Sequence, residues 1–140
     1  MENNPTWIPV VALALRNGDG RWLMQCRPPG KAHAGLWEFP GGKVEVTEKP
    51  REALIREVLE ELDIAIRPDD LEPVGMADHA GQPGRVPIVI LLYSARRWEG
   101  TPRSLEGGRV DWFGPAEIEE LPMPPLDVKL LSQLRREFGI

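Results

Sequence analysis

The chain has 140 residues, 41% hydrophobic and 28% charged, with a formal net charge of −5. That length and composition suit one compact domain over residues 1–140, and the acidic balance argues against a general nucleic-acid surface, which needs a basic stripe. No apolar run approaches the roughly 20 residues that span a bilayer, and the start Met1-Glu2-Asn3-Asn4-Pro5 lacks the basic and apolar stretches of a secretory signal, so a cytoplasmic protein with no membrane partner is expected.

In chain order, Trp7–Arg16 reads as a strand. Asn17-Gly18-Asp19-Gly20 is turn chemistry, and Arg21–Arg27 returns as a second strand, which predicts a hairpin. Cys26, the only cysteine, stands beside Leu23 and Met24 and reads as a packed small residue. Leu36–Phe39 is a short strand, stopped by Pro40-Gly41-Gly42.

The clearest helix is Thr47 to Asp63, with Thr47 as N-cap and Pro50 in the first turn. Leu54, Val58 and Leu62 form its apolar stripe, widened by Ile55 and Leu59. Leu71–Met76 reads as a strand, Ala80–Pro87 as a Gly/Pro loop, Val86–Ala95 as a central strand and Arg109–Phe113 as a short one. Asp127–Phe138 is a final helix, with Val128, Leu131 and Leu134 at helical spacing. Strands and helices mix without regular alternation, which predicts an α/β (α+β) fold with a mixed β-sheet sandwiched between helices.

Chemistry concentrates between Gly42 and Ile64. On a helix, Glu57, Glu60 and Glu61 share one face, opposite the Leu54/Val58/Leu62 stripe. Carboxylates so close repel unless a cation joins them, and Mg²⁺ favours oxygen ligands that a triphosphate can complete. By itself Glu-x-x-Glu-Glu is common on solvated helices. The neighbours sharpen it: a Pro-Gly-Gly turn lets backbone approach a ligand, and Arg56 can steady Glu48 and Glu60 from the side.

The run Gly42-x5-Glu48-x7-Arg56-Glu57-Val58-x-Glu60-Glu61-x-Asp63-Ile64 resembles the Nudix box, with Asp63 where the pattern has Gly. Trp37-Glu38-Phe39-Pro40-Gly41-Gly42-Lys43, Arg97-Trp98-Glu99-Gly100 and Leu121-Pro122-Met123-Pro124-Pro125 resemble the MutT branch of that family. The resemblance implies the Nudix fold and a Mg²⁺-dependent pyrophosphohydrolase, with Mn²⁺ as an alternative metal. The branch cleaves 8-oxo-dGTP to 8-oxo-dGMP and pyrophosphate, which cleans the nucleotide pool and avoids mutation during DNA replication. A related branch acts on CTP and modified dCTP, and a nucleotide-binding module without catalysis is a further alternative. The implied partner is a small nucleotide, without stable nucleic-acid binding, on a monomer or weak homodimer.

The resemblance also implies roles. Metal ligands would be Glu57, Glu60, Glu61, the Gly41 carbonyl and Glu106 of a later loop; Glu106 does not stand out from the residues alone. Glu57 would be the general base within a coupled carboxylate set, with Glu48 and Arg56 orienting it. Arg27 and Lys43 are candidates for phosphate contact. Phe39 and Asp127 would read the base. Asp127 could instead be simply the N-cap of the last helix.

Overall fold

Both edges of the first strand are taken by other strands, and that fact organises the molecule. In the computed structural model, which describes residues 6–81 and 84–140, β1 (Ile8–Leu15) pairs in parallel with β6 (Ile88–Ala95) from Ile8↔Ile88 to Leu15↔Ala95. On its other side β1 pairs antiparallel with β4 (Gly41–Lys43), and β5 (Glu72–His79) lines the far edge of β6. The order of this four-stranded mixed sheet is β4-β1-β6-β5. A second, three-stranded sheet has the order β3-β2-β7, from β2 (Trp22–Cys26), β3 (Trp37–Glu38) and β7 (Arg109–Phe113).

The expected hairpin of β1 and β2 is therefore only a turn. Asn17 Oδ1 accepts the N–H groups of Asp19 and Arg21 at 3.0 and 2.9 Å, and Arg16 bridges Trp22 once. Beyond that bridge the strands part, because β1 has no free edge left and β2 pairs with β3 and β7.

Alternate side chains of β1 feed two cores. Val11, Leu13 and Leu15 join Leu54, Val58, Leu62 and Ile64 on one side. Ala12 and Ala14 join Trp22, Met24, Phe39, Leu130 and Leu134 on the other. Helix α1 (Pro50–Leu62) covers the first core and α3 (Pro125–Phe138) the second, with the short α2 (Pro115–Ile118), not foreseen from the sequence, inserting Ile118. The sheet sandwiched between helices is thus present, with a second small sheet beside it. Cys26 is buried, as a packed residue should be.

Several element bounds move for identifiable reasons. Helix α1 starts at Pro50 with Lys49 as N-cap, not at Thr47, because the residue before a proline is driven to extended backbone and Lys49 sits at φ −84°, ψ 155°. Leu59 is 51% exposed and does not widen the apolar stripe, and Val128 is 54% exposed while Leu130 takes the buried position. Helix α3 starts at Pro125, so Asp127 lies in its first turn and Pro124 is the N-cap. Pro40-Gly41-Gly42 leads into a paired strand; a Cβ on Gly41 would stand 1.9 Å from the Val11 carbonyl oxygen, so the glycine serves close approach to β1. Strand β5 runs on to His79 and β6 begins at Ile88. The reading of Met1–Pro5 lies outside the described residues, as do residues 82–83 of the Ala80–Pro87 loop. Among the described residues no helix is long and apolar enough to cross a membrane.

Candidate active site

One guanidinium gathers the acidic face of α1. Arg56 donates from Nε and Nη2 to the two oxygens of Glu48 at 2.6 and 2.9 Å, and from Nη1 to Glu57 at 3.0 Å and Glu60 at 3.2 Å. Its Nη2 also reaches the Lys43 carbonyl at 3.1 Å, which ties α1 to β4. Arg56 holds the Glu48 carboxyl below the usual range, with help from the Glu45 N–H. Burial pushes Glu57 up, against the pull of Arg56. Gly42 makes room for Glu57: a Cβ there would lie 2.3 to 2.6 Å from the carboxylate atoms. The glycine pair therefore brings the β4 backbone against both β1 and the acidic helix face.

Glu61 is the odd member of the set. Burial first, then the charges of Glu57 and Glu106, push its carboxyl up to about 8. Its Oε2 is buried and makes no hydrogen bond within the described protein. With Cys26, Arg27, Lys31, Ser104 and Glu106, Glu61 lines a cavity of about 60 Å³. Glu106 itself is exposed, on a loop fastened to α1 by the Leu105 N–H, which donates to the Glu61 carbonyl at 2.9 Å.

Among the described residues no three His, Cys, Asp or Glu side chains are already arranged to grip an ion. Arg56 engages Glu57 and Glu60, and unbridged carboxylates repel. The donors nevertheless fit a hard divalent cation. They are all oxygens, and the orphaned Glu61 Oε2 is an acceptor that a cation would satisfy.

A second feature lies at the other end of β3. Asp127 is 6% exposed, and its Oδ2 accepts the Phe39 N–H at 3.0 Å. Burial pushes its carboxyl up to about 7, against the Phe39 hydrogen bond and with the Glu38 charge adding to the rise. The N-cap alternative for Asp127 falls away, since Pro124 holds the cap position and the Asp127 side chain bonds the Phe39 N–H just past β3. The Phe39 ring is core, so only its main chain can meet a base.

Arg27 and Lys43 differ in placement. Arg27 Nε donates to Glu38 Oε1 at 2.6 Å while the residue faces the cavity beside Glu61. The Lys43 side chain is exposed, and it is the carbonyl that meets Arg56. Among the tryptophans, Trp22 fills the core and Trp98 stacks on Trp112 at 5.7 Å. Trp37 meets Phe113 edge-on. Sequence reasoning missed Glu38, whose charge acts on both Glu61 and Asp127, and the cavity residues Lys31 and Ser104. Glu38 had a signal, being inside Trp37–Lys43; the other two had none.

Comparison with known proteins agrees with this architecture. The NUDIX domain profile matches residues 6–134. A CTP pyrophosphohydrolase of Escherichia coli K12 is 37% identical over 126 residues, 89% of each chain. An 8-oxo-dGTP diphosphatase of Haemophilus influenzae Rd is 32% identical over 130 residues, 93% of each chain. The solution structure of the E. coli ORF135 protein superposes with a TM-score of 0.83 at 34% identity, covering 96% of this chain and 93% of that one. Divalent metal use is general among Nudix hydrolases. With its box, its helix–sheet–helix frame and these relatives together, the chain belongs to the Nudix hydrolase family, among its MutT-like members.

Proposed function

We propose that this Nudix nucleotide pyrophosphohydrolase is Mg²⁺-dependent and acts in the cytoplasm, as one domain, on 8-oxo-dGTP, yielding 8-oxo-dGMP and pyrophosphate. The observation that carries the base assignment is the buried Asp127 carboxylate bonded to the Phe39 N–H.

In the reaction, water attacks phosphorus, one P–O bond of the diphosphate linkage breaks, and the nucleoside monophosphate leaves. A bound divalent ion would lower the pKa of the attacking water and neutralise charge on the phosphate oxygens. Glu57 takes the water's proton; its partial burial raises its basicity, and Arg56 fixes its orientation. Glu60, Glu61, Glu106 and the Gly41 carbonyl would hold the ion with Glu57. Arg27 and Lys43 meet the phosphates, and Arg27 must then share its charge between Glu38 and the substrate.

At the base, 8-oxoguanine presents an N7–H donor beside the O6 acceptor, whereas guanine presents two acceptors. A carboxylate has acceptor capacity left after one N–H, so Asp127 can take N7–H. With its carboxyl near 7, the protonated form is also available to donate to O6. Guanine would set N7 against an acceptor. Cytosine offers its exocyclic amine as a donor, and the 37% identity to a CTP pyrophosphohydrolase favours that as a second reading. Binding without catalysis is disfavoured by the intact Glu57–Glu60–Glu61 and Arg56 set.

The test is pyrophosphate release with Mg²⁺ across 8-oxo-dGTP, dGTP, dCTP and CTP. We expect kcat/KM for 8-oxo-dGTP to exceed that for dGTP by at least about tenfold, the scale of one unpaired polar contact. Equal values would end the 8-oxo-dGTP reading, and fastest turnover of cytosine nucleotides would establish the second. Tight nucleotide binding with no pyrophosphate at any metal concentration would leave a binding module.

A further inference from the structure

Asp63 stands where the box pattern has Gly, and it adopts the left-handed conformation at φ 59°, ψ 38°. Side chains disfavour that conformation, so a helix stop alone would be better served by Gly. The Asp63 carboxylate has a partner, however. Its Oδ2 accepts Arg103 Nη2 at 3.0 Å and Nε at 3.3 Å.

Arg103 belongs to a loop laid along the C-terminal end of α1. Ala65 and Glu99 exchange main-chain hydrogen bonds of 3.0 and 2.9 Å, and the Arg103 and Leu105 N–H groups donate to the Leu62 and Glu61 carbonyls at 3.1 and 2.9 Å. Those carbonyls are among the last of the helix, which otherwise lack partners. Gly100 passes so close that a Cβ would stand 2.8 Å from the Asp63 carbonyl oxygen. Glu106 follows directly on the last of these bonds and faces the same cavity as Glu61.

We propose that Asp63 and Arg103 form a positioning clamp that seats the loop on the end of α1 and so sets Glu106 beside Glu61 for the divalent ion. Neither residue touches substrate. The proposal rests on the reading of Glu106 as a metal ligand. It also accounts for the departure from Gly: the carboxylate offsets its unfavourable backbone by fastening the loop. Both side chains are well exposed, Arg103 at 68% and Asp63 at 49%, so the clamp is salt-sensitive.

The experiment is a Mn²⁺ titration of the whole chain without nucleotide, reading free Mn²⁺ by electron paramagnetic resonance, on wild type, Asp63→Gly, Arg103→Gln, their double variant and Glu106→Gln. Asp63→Gly relieves the left-handed backbone, so its Tm should equal or exceed wild type. Its Kd for Mn²⁺ should nonetheless rise about three- to fivefold, within what an exposed ion pair allows. Arg103→Gln should match it, the double variant should add nothing, and the difference from wild type should shrink at high salt. If Glu106→Gln weakens Mn²⁺ binding while Asp63→Gly and Arg103→Gln do not, or if the two effects add, the clamp is refuted and the ligand reading survives. If Glu106→Gln leaves binding unchanged, Glu106 is no ligand and both ideas fall.

Discussion

Glu57, Glu60 and Glu61 reach their site within neighbouring turns of one helix, whereas Asp127 meets Phe39 across 88 positions of chain through a single 3.0 Å hydrogen bond. The acidic face tolerates partial exposure and is organised by a charge, with Arg56 bonded to three carboxylates. The Asp127 carboxyl is buried and organised by one main-chain donor. Chemistry on phosphorus needs many weakly specific acceptors around a cation. Discrimination between bases needs one acceptor whose protonation and direction are controlled. The two regions are not independent: Glu38, at 15% side-chain exposure and paired to Arg27, lends negative charge to both.

The contrast can be broken most forcefully at Glu57. Replacing it with Gln should lower kcat by roughly 10²- to 10⁴-fold, the usual contribution of a general base, while circular dichroism and Tm stay those of wild type. Turnover near the wild-type level would remove Glu57 from the base role.

At the other region the expected effect is smaller and changes ratio rather than rate. Asp127→Asn supplies both a donor and an acceptor, so kcat/KM for 8-oxo-dGTP relative to CTP should rise by about tenfold, one well-made base contact. An unchanged ratio would reduce Asp127 to an anchor for the Phe39 backbone.

The smallest effect is thermodynamic and reads both regions together. Asp127 is pushed from 3.8 to about 7 and Glu61 from 4.5 to about 8. Over those windows the folded protein binds more protons than the unfolded chain, so stability falls as pH rises and levels off above about 8. Tm measured in chelator should therefore decline from pH 5 to pH 8. Asp127→Asn should flatten the decline up to about 7, and Glu61→Gln should flatten the part that persists to about 8. Divalent metal should reverse only the Glu61 part, since binding takes up the carboxylate charge. A Tm that climbs over this range would mean that neither group is held protonated.

Much of the fold was legible from local pattern. The α1 and α3 helices, the β7 strand and the turn at Asn17 follow from spacing and turn chemistry. The second sheet was not legible, because a hairpin turn does not reveal that β4 and β6 already occupy both edges of β1. Nor was the work of the glycine pair, whose composition suggests a stop but whose bareness serves Glu57 and Val11. In the site, the Glu57–Glu60–Glu61 spacing carried its own meaning, while Lys31, Ser104 and the Glu38 coupling needed β2, β3, α1 and two loops to converge.

By itself the sequence determined the acidic helix face and its Arg56, because helical neighbours three and four apart are set by backbone geometry alone. Only the tertiary structure decided that Arg27 is paired with Glu38, that Arg103 reaches Asp63, and that Asp127 is buried and bonded to Phe39. Those outcomes depend on burial and on contacts between distant segments, and burial, not residue type, determines how readily a carboxyl keeps its proton.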